Sequence, residues 1–156
     1  MRETYNLEDN NNSTFRDLEY LEEKPSIEPL VRAIARLEEG MERYLSSTKD
    51  TQLRDGLIQR FEFTYEAAHR TLKRYLEYAS PNPTEIDEMT FQDLIRTANE
   101  RGLLLRDWSD WRFFRDMRSK TSHTYDEATA VQVVEDIPVF IEEVIHLRNK
   151  LREHLS

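Results

Sequence analysis

Hydrophobic residues in this chain recur at three- and four-residue steps, the spacing that gathers side chains on one face of an α-helix. Ile27, Leu30, Val31, Ile34, Leu37, Met41, Tyr44 and Leu45 form the first stripe and predict a helix ending at Ser46 or Ser47. Gly40 lies within it and weakens it by roughly 1 kcal/mol relative to Ala. A longer stripe, Leu53, Leu57, Phe61, Tyr65, Ala68, Leu72, Tyr75 and Leu76, predicts a helix from Thr51 to Tyr78. Pro81, Asn82 and Pro83 stop it, because proline lacks a backbone donor and restricts the residue before it.

Thr90 then opens a short helix through Phe91, Leu94, Ile95 and Ala98, with Gly102 placed for a left-handed cap. A fourth helix covers Trp108 to Arg118. The fifth begins after Thr124, whose spacing to Glu127 matches a capping box, and continues through Val131, Val134, Ile137, Val144, Ile145, Leu147 and Leu151. Pro138 is expected to kink it. The pattern describes an all-α fold, an up-and-down bundle of about five helices, two of them long. Residues 1–24 mix Asn, acid and a few aromatics without sustained period, so they are expected to form a mobile acidic arm, with helical character near Phe15 to Leu21, ahead of a folded domain at 25–156.

Composition supports this picture. Three Gly and five Pro in 156 residues leave little material for the turns of an all-β fold, and 34% charged residues make the core a stripe instead of a slab. With no Cys, a disulfide framework, a thiol nucleophile and a Cys-based zinc site are excluded. His69, His146 and His154 lack ligand-like partners at adjacent turns, so neither a metal nor a cofactor is expected. The first residues lack the apolar core of a signal peptide and no run reaches membrane-span length, which points to a cytoplasmic protein without a membrane partner.

The net charge of −9 opposes general nucleic-acid coating, since phosphate binding needs Lys and Arg to displace counterions. Its distribution is uneven: residues 101–120 carry six basic side chains against three acidic ones. At the end of that stretch Arg118 and His123 are separated by Ser119, Lys120, Thr121 and Ser122, and Tyr125 follows two places on. An arginine that can clamp a phosphate, a histidine that can move a proton near neutral pH and a tyrosine hydroxyl thus bridge two predicted helix ends. Backbone donors at the second helix start could hold a phosphate with Arg118 and favour neutral imidazole at His123. Two plainer readings stand beside this one: a cation ending a helix is common for dipole reasons, and Tyr125 also reads as a buried aromatic. Trp108, Trp111, Phe113 and Phe114, interleaved with Arg112 and Arg115, read first as core, which leaves Arg112, Arg115 and Lys120 as candidate RNA contacts. No phosphate-binding Gly-rich loop or nucleophile turn is present, which removes common NTPase, kinase and hydrolase readings.

Arg60-Phe-Glu-Phe-Thr-Tyr-Glu-Ala-Ala with Thr71-Leu-Lys-Arg-Tyr-Leu-Glu, and Thr121-Ser-His-Thr-Tyr-Asp-Glu preceded by Arg118, together resemble the HEPN-domain family of nucleotidyltransferase substrate-binding proteins, which are similar to HepT toxins. The likeness covers nearly all of residues 50–153. It implies a homodimer whose paired Arg118 and His123 residues form a composite ribonuclease cleft acting on RNA without a metal. It also implies a cognate minimal nucleotidyltransferase as antitoxin, which attaches AMP at the position of Tyr125. Ser119, Thr121 and Ser122 would support the site. HEPN ribonucleases commonly carry Asn, Asp or His where this chain has Ser119, a departure that favours the alternative of a non-catalytic nucleotide- or substrate-binding subunit of a nucleotidyltransferase complex. A helical scaffold whose acidic faces bind a basic partner is the plainest third reading.

Overall fold

The computed structural model describes residues 23–156, all helices and connecting turns. The expected arm at 1–24 therefore lies almost wholly outside the described residues. Six α-helices follow in order: α1 Glu28–Leu45, α2 Thr51–Ala79, α3 Pro83–Asp87, α4 Phe91–Glu100, α5 Trp108–Lys120 and α6 Glu127–Leu155, with a 3₁₀ turn at Thr121–His123 between the last two. The fold is the expected all-α bundle with two long helices.

Local chemistry accounts for most boundaries. Asp50 caps α2 by accepting from the Gln52 and Leu53 amides at 2.9 and 3.1 Å, and Thr90 caps α4 by accepting from Asp93 N at 3.2 Å. Gly102 ends the turn after α4 at φ +75°, a left-handed conformation that glycine adopts without steric cost. Three expectations need correction. The start of α6 is capped by Asp126, whose carboxylate accepts from Thr129 N at 3.3 Å and from Thr129 Oγ1 at 2.7 Å. Thr124 instead donates to Thr121 O at 3.3 Å and closes the 3₁₀ turn, so the helix begins later than a Thr124 cap requires. The lead-in to α4 contains α3, a five-residue helix opened by Pro83 and seated by buried Ile86. Lys73 reaches Asp87 at 2.8 Å to hold it to α2. Leu45 and Val131, placed inward by their spacing, are 65% and 38% exposed, because they sit at the edges of their stripes where no described element covers them. Pro138 is exposed on α6, which is helical on both sides of it.

The core sits where α2, α5 and α6 meet. Phe61, Trp111, Phe114 and Phe140 are almost wholly buried, with Phe140 4.9 Å from Phe61 and 5.3 Å from Phe114 in edge-to-face geometry. Among the described residues one carboxyl group is buried: Glu143 of α6 accepts from the amides of Leu105 and Arg106 at 3.2 and 3.3 Å and from Trp111 Nε1 at 3.0 Å. It ties the loop ahead of α5 to α6, and so sets where α5 begins and where its far end points.

Candidate functional site at the α5–α6 junction

Asp107 caps α5, and Trp111, Phe114 and Met117, spaced three apart, bury its inner face. That anchoring leaves Arg118, the next residue, on the flank of the last turn with about 30% of its side chain exposed. One terminal nitrogen donates to Thr121 Oγ1 at 3.0 Å. The other donates to Glu66 Oε1 at 2.7 Å, and Glu62 lies 3.8 Å from the guanidinium. Thr121 is buried and donates in turn to Arg118 O at 2.6 Å, so its hydroxyl both closes the helix end and orients the guanidinium. Arg118 enters the site already aimed, but it is neutralised by two carboxylates of α2.

Those two carboxylates were missed in the sequence. Glu62 and Glu66 stand at i,i+4 on one face, where like charges repel, and that is a signal that a cation from another element lies between them. His123 ends the 3₁₀ turn and is exposed, with its ring 6.1 Å from that of Tyr125 and tilted by 76°. Tyr125 is 87% exposed, which removes the buried-aromatic reading. Ser119, Ser122 and Lys120 are exposed, and Thr121 alone of the supporting residues bonds to Arg118.

The helix start does not supply the anion site the sequence suggested. Asp126 occupies the cap and Glu127 opens the helix, so two acidic side chains stand where an anion would approach. Arg112 and Arg115 are exposed along α5, and the Arg115 guanidinium lies 5.0 Å over the Trp108 ring. Trp111 and Phe114 are core, while Phe113 is 41% exposed. Beneath the site, burial pushes the Tyr65 phenol up to about 12, with the charges of Arg115 and Arg118 pulling the other way. That hydroxyl stays protonated at neutral pH. Among the described residues no group of three or more His, Asp or Glu is placed to hold a metal ion, and no helix is long and apolar enough to cross a membrane.

The described residues thus form an all-helical bundle with an arginine, a histidine and an open tyrosine at one helix junction. The chain belongs to the family described as nucleotidyltransferase substrate binding protein like, which matches residues 25–153. It is similar to a probable ribonuclease HepT of Haemophilus influenzae, 41% identical over 98 residues, covering 63% of this chain and 66% of that protein. A solved structure from Haemophilus influenzae, described as the fold of a substrate binding domain of a nucleotidyltransferase, superposes with a TM-score of 0.76 at 34% identity, covering 81% of this chain and 99% of that one.

Proposed function

We propose that the chain is the endoribonuclease toxin of a two-component system, held inactive by a nucleotidyltransferase antitoxin that adenylylates Tyr125. The observation that carries this reading is the α5–α6 junction: Thr121 holds Arg118 in place while His123 and the open Tyr125 share the turn beside it. In the cleavage step His123 accepts the proton of an RNA 2′-hydroxyl as its oxygen attacks the adjacent phosphorus. Arg118 exchanges its carboxylate partners for the phosphate and stabilises charge on the phosphorane. The 5′-oxygen leaves with a proton from water, yielding a 2′,3′-cyclic phosphate and a 5′-hydroxyl. The chemistry needs no metal, and homodimerisation would bring two such junctions to one cleft. Cytoplasmic residence fits an RNA target.

Digestion of RNA in EDTA by the isolated protein tests the assignment. Arg118→Ala and His123→Ala are each expected to lower the rate by about 10²-fold or more. Cleavage unchanged in both variants would sink it.

The switch has its own chemistry. The Tyr125 oxygen attacks the α-phosphorus of ATP on the partner enzyme, pyrophosphate leaves, and the phenolic proton passes to solvent. The AMP adds negative charge and bulk where the RNA phosphate must lie. Mass spectrometry after incubation with the partner and ATP should find one AMP on the parent chain and none on Tyr125→Phe; an adduct retained in that variant would place the modification elsewhere.

A second reading draws on the ion pairs of Arg118 with Glu62 and Glu66: a non-catalytic subunit that presents a nucleotide, or Tyr125 itself, to the nucleotidyltransferase. Absence of EDTA-resistant cleavage together with an AMP adduct on Tyr125 would favour it.

A further inference from the structure

A second concentration of positive charge lies outside the basic stretch at 101–120. Helices α1 and α2 enclose a cleft of about 300 Å³ whose walls carry Arg32, Arg36, Arg60, Arg70, Glu66 and Phe63. Four guanidiniums and one carboxylate line it, and two acids outside the lining, Glu28 and Glu39, each pair with one of the four arginines. Arg32 and Arg36 also stand at i,i+4, a like-charge spacing that opposes helix formation. Arg36 and Arg70 have no carboxylate within 4.0 Å among the described residues, while Arg32 has a single exposed contact, 3.7 Å from Glu28.

The cleft is built, and Arg60 shows how. It donates to Arg36 O at 2.7 Å across the two helices and lies 4.0 Å from Glu39. Its stem runs past Gly40, where a Cβ would meet Arg60 Cδ at 3.1 Å. The glycine inside α1, costly for helix propensity, thus leaves room for the arginine that braces the cleft. Phe63 is 55% exposed at the wall, an apolar ring left open to water beside the guanidiniums. Glu66 joins this cleft to the junction, because its carboxylate is also the 2.7 Å partner of Arg118.

An exposed aromatic face beside two guanidiniums without a carboxylate partner among the described residues, those of Arg36 and Arg70, matches a ligand with both a planar base and phosphates. An acidic peptide would use the arginines and leave the ring idle. We propose that the α1–α2 cleft binds single-stranded RNA beside the cleavage site, Arg36 and Arg70 holding phosphates and Phe63 stacking a base, with Glu66 marking the passage to Arg118. This rests on the ribonuclease reading for the identity of the strand, and its test is separate from cleavage.

A fluorescent oligoribonucleotide of about eight nucleotides, within the span that small single-strand sites cover, is made uncleavable by 2′-methoxy groups and its affinity followed by anisotropy over a salt series. The double variant Arg36→Ala/Arg70→Ala should bind about tenfold more weakly, and its dependence of log affinity on log salt should fall by about 1.4, the loss of two phosphate contacts to a single strand. Phe63→Ala should weaken binding about tenfold with the salt slope unchanged. These side chains lie at the surface, and unchanged thermal melting checks that the fold is kept. Parent-like affinity in both variants, or no binding by the parent chain, overturns the proposal. A changed sedimentation coefficient with unchanged oligonucleotide affinity gives the cleft to a second copy of the chain and also overturns it. If no RNA is cleaved but binding depends on Arg36 and Arg70, the cleft stands and the nuclease assignment falls; cleavage with binding indifferent to the cleft gives the reverse.

Discussion

Glu143 shows how much one side chain can organise here. It is fully buried and acts as a three-way acceptor for Leu105 N, Arg106 N and Trp111 Nε1. Burial pushes its carboxyl above the usual range, while those three donors pull it back. A group whose folded value is raised contributes stability that is fully present below its unfolded value and is lost as pH rises through the folded value. Glu143→Ala removes the acceptor and strands three donors, so it should cost about 3 kcal/mol in urea titration. The loss should be larger at pH 5 than at pH 8; a cost below about 1 kcal/mol, near the net worth of one hydrogen bond, would show that the donors find other partners. Nothing in the sequence around Glu143 marks it, since an acid within an amphipathic helix reads as a solvated position until its neighbours are known. Arg118 is the opposite case. Its spacing to His123 was visible, but its ion pairs to Glu62 and Glu66 join residues more than fifty positions apart.

At the scale of elements, local signals carried furthest where they were complete within a few residues. The Thr90 cap, the left-handed Gly102 and the stop ahead of Pro81 each depend on two or three neighbours, and each stands where the sequence put it. The α5–α6 turn misled because two competent caps compete. Thr124 precedes Glu127 at capping-box spacing, but Asp126 precedes Thr129 by the same interval and offers a charged acceptor. Residues 121–123 close a 3₁₀ turn, Thr124 completes it, and the helix starts from Asp126. This shift matters for the site, because it sets a carboxylate at the helix start and leaves His123 and Tyr125 on an exposed turn. The short α3 escaped notice because five residues are too few for a periodic stripe, and only burial of Ile86 identifies what seats it.

For the molecule as a whole, the distribution of charge matters more than its total. Arginines on two separate surfaces, α5 and the α1–α2 cleft, interrupt an otherwise acidic protein, and Glu66 links them. Each chain offers one Arg118 and one His123, so the composite cleft proposed above requires two copies. Sedimentation equilibrium at micromolar concentration should give twice the chain mass of 18.7 kDa. A strict monomer would confine the chemistry to one junction and remove the two-chain cleft.

The sequence by itself determined the helical class, the two long helices, most of the core stripes and the clustering of Arg118, His123 and Tyr125 at one junction. Each of these depends on spacing within a single segment, and spacing within a helix maps directly onto a face or an end. Only the tertiary structure decided that Arg118 is held by two α2 carboxylates, that Glu143 gathers the loop before α5, and that four arginines converge across α1 and α2. Those pairings depend on how one helix is rotated and offset against another. Core packing fixes that rotation, and the periodicity of neither helix records it.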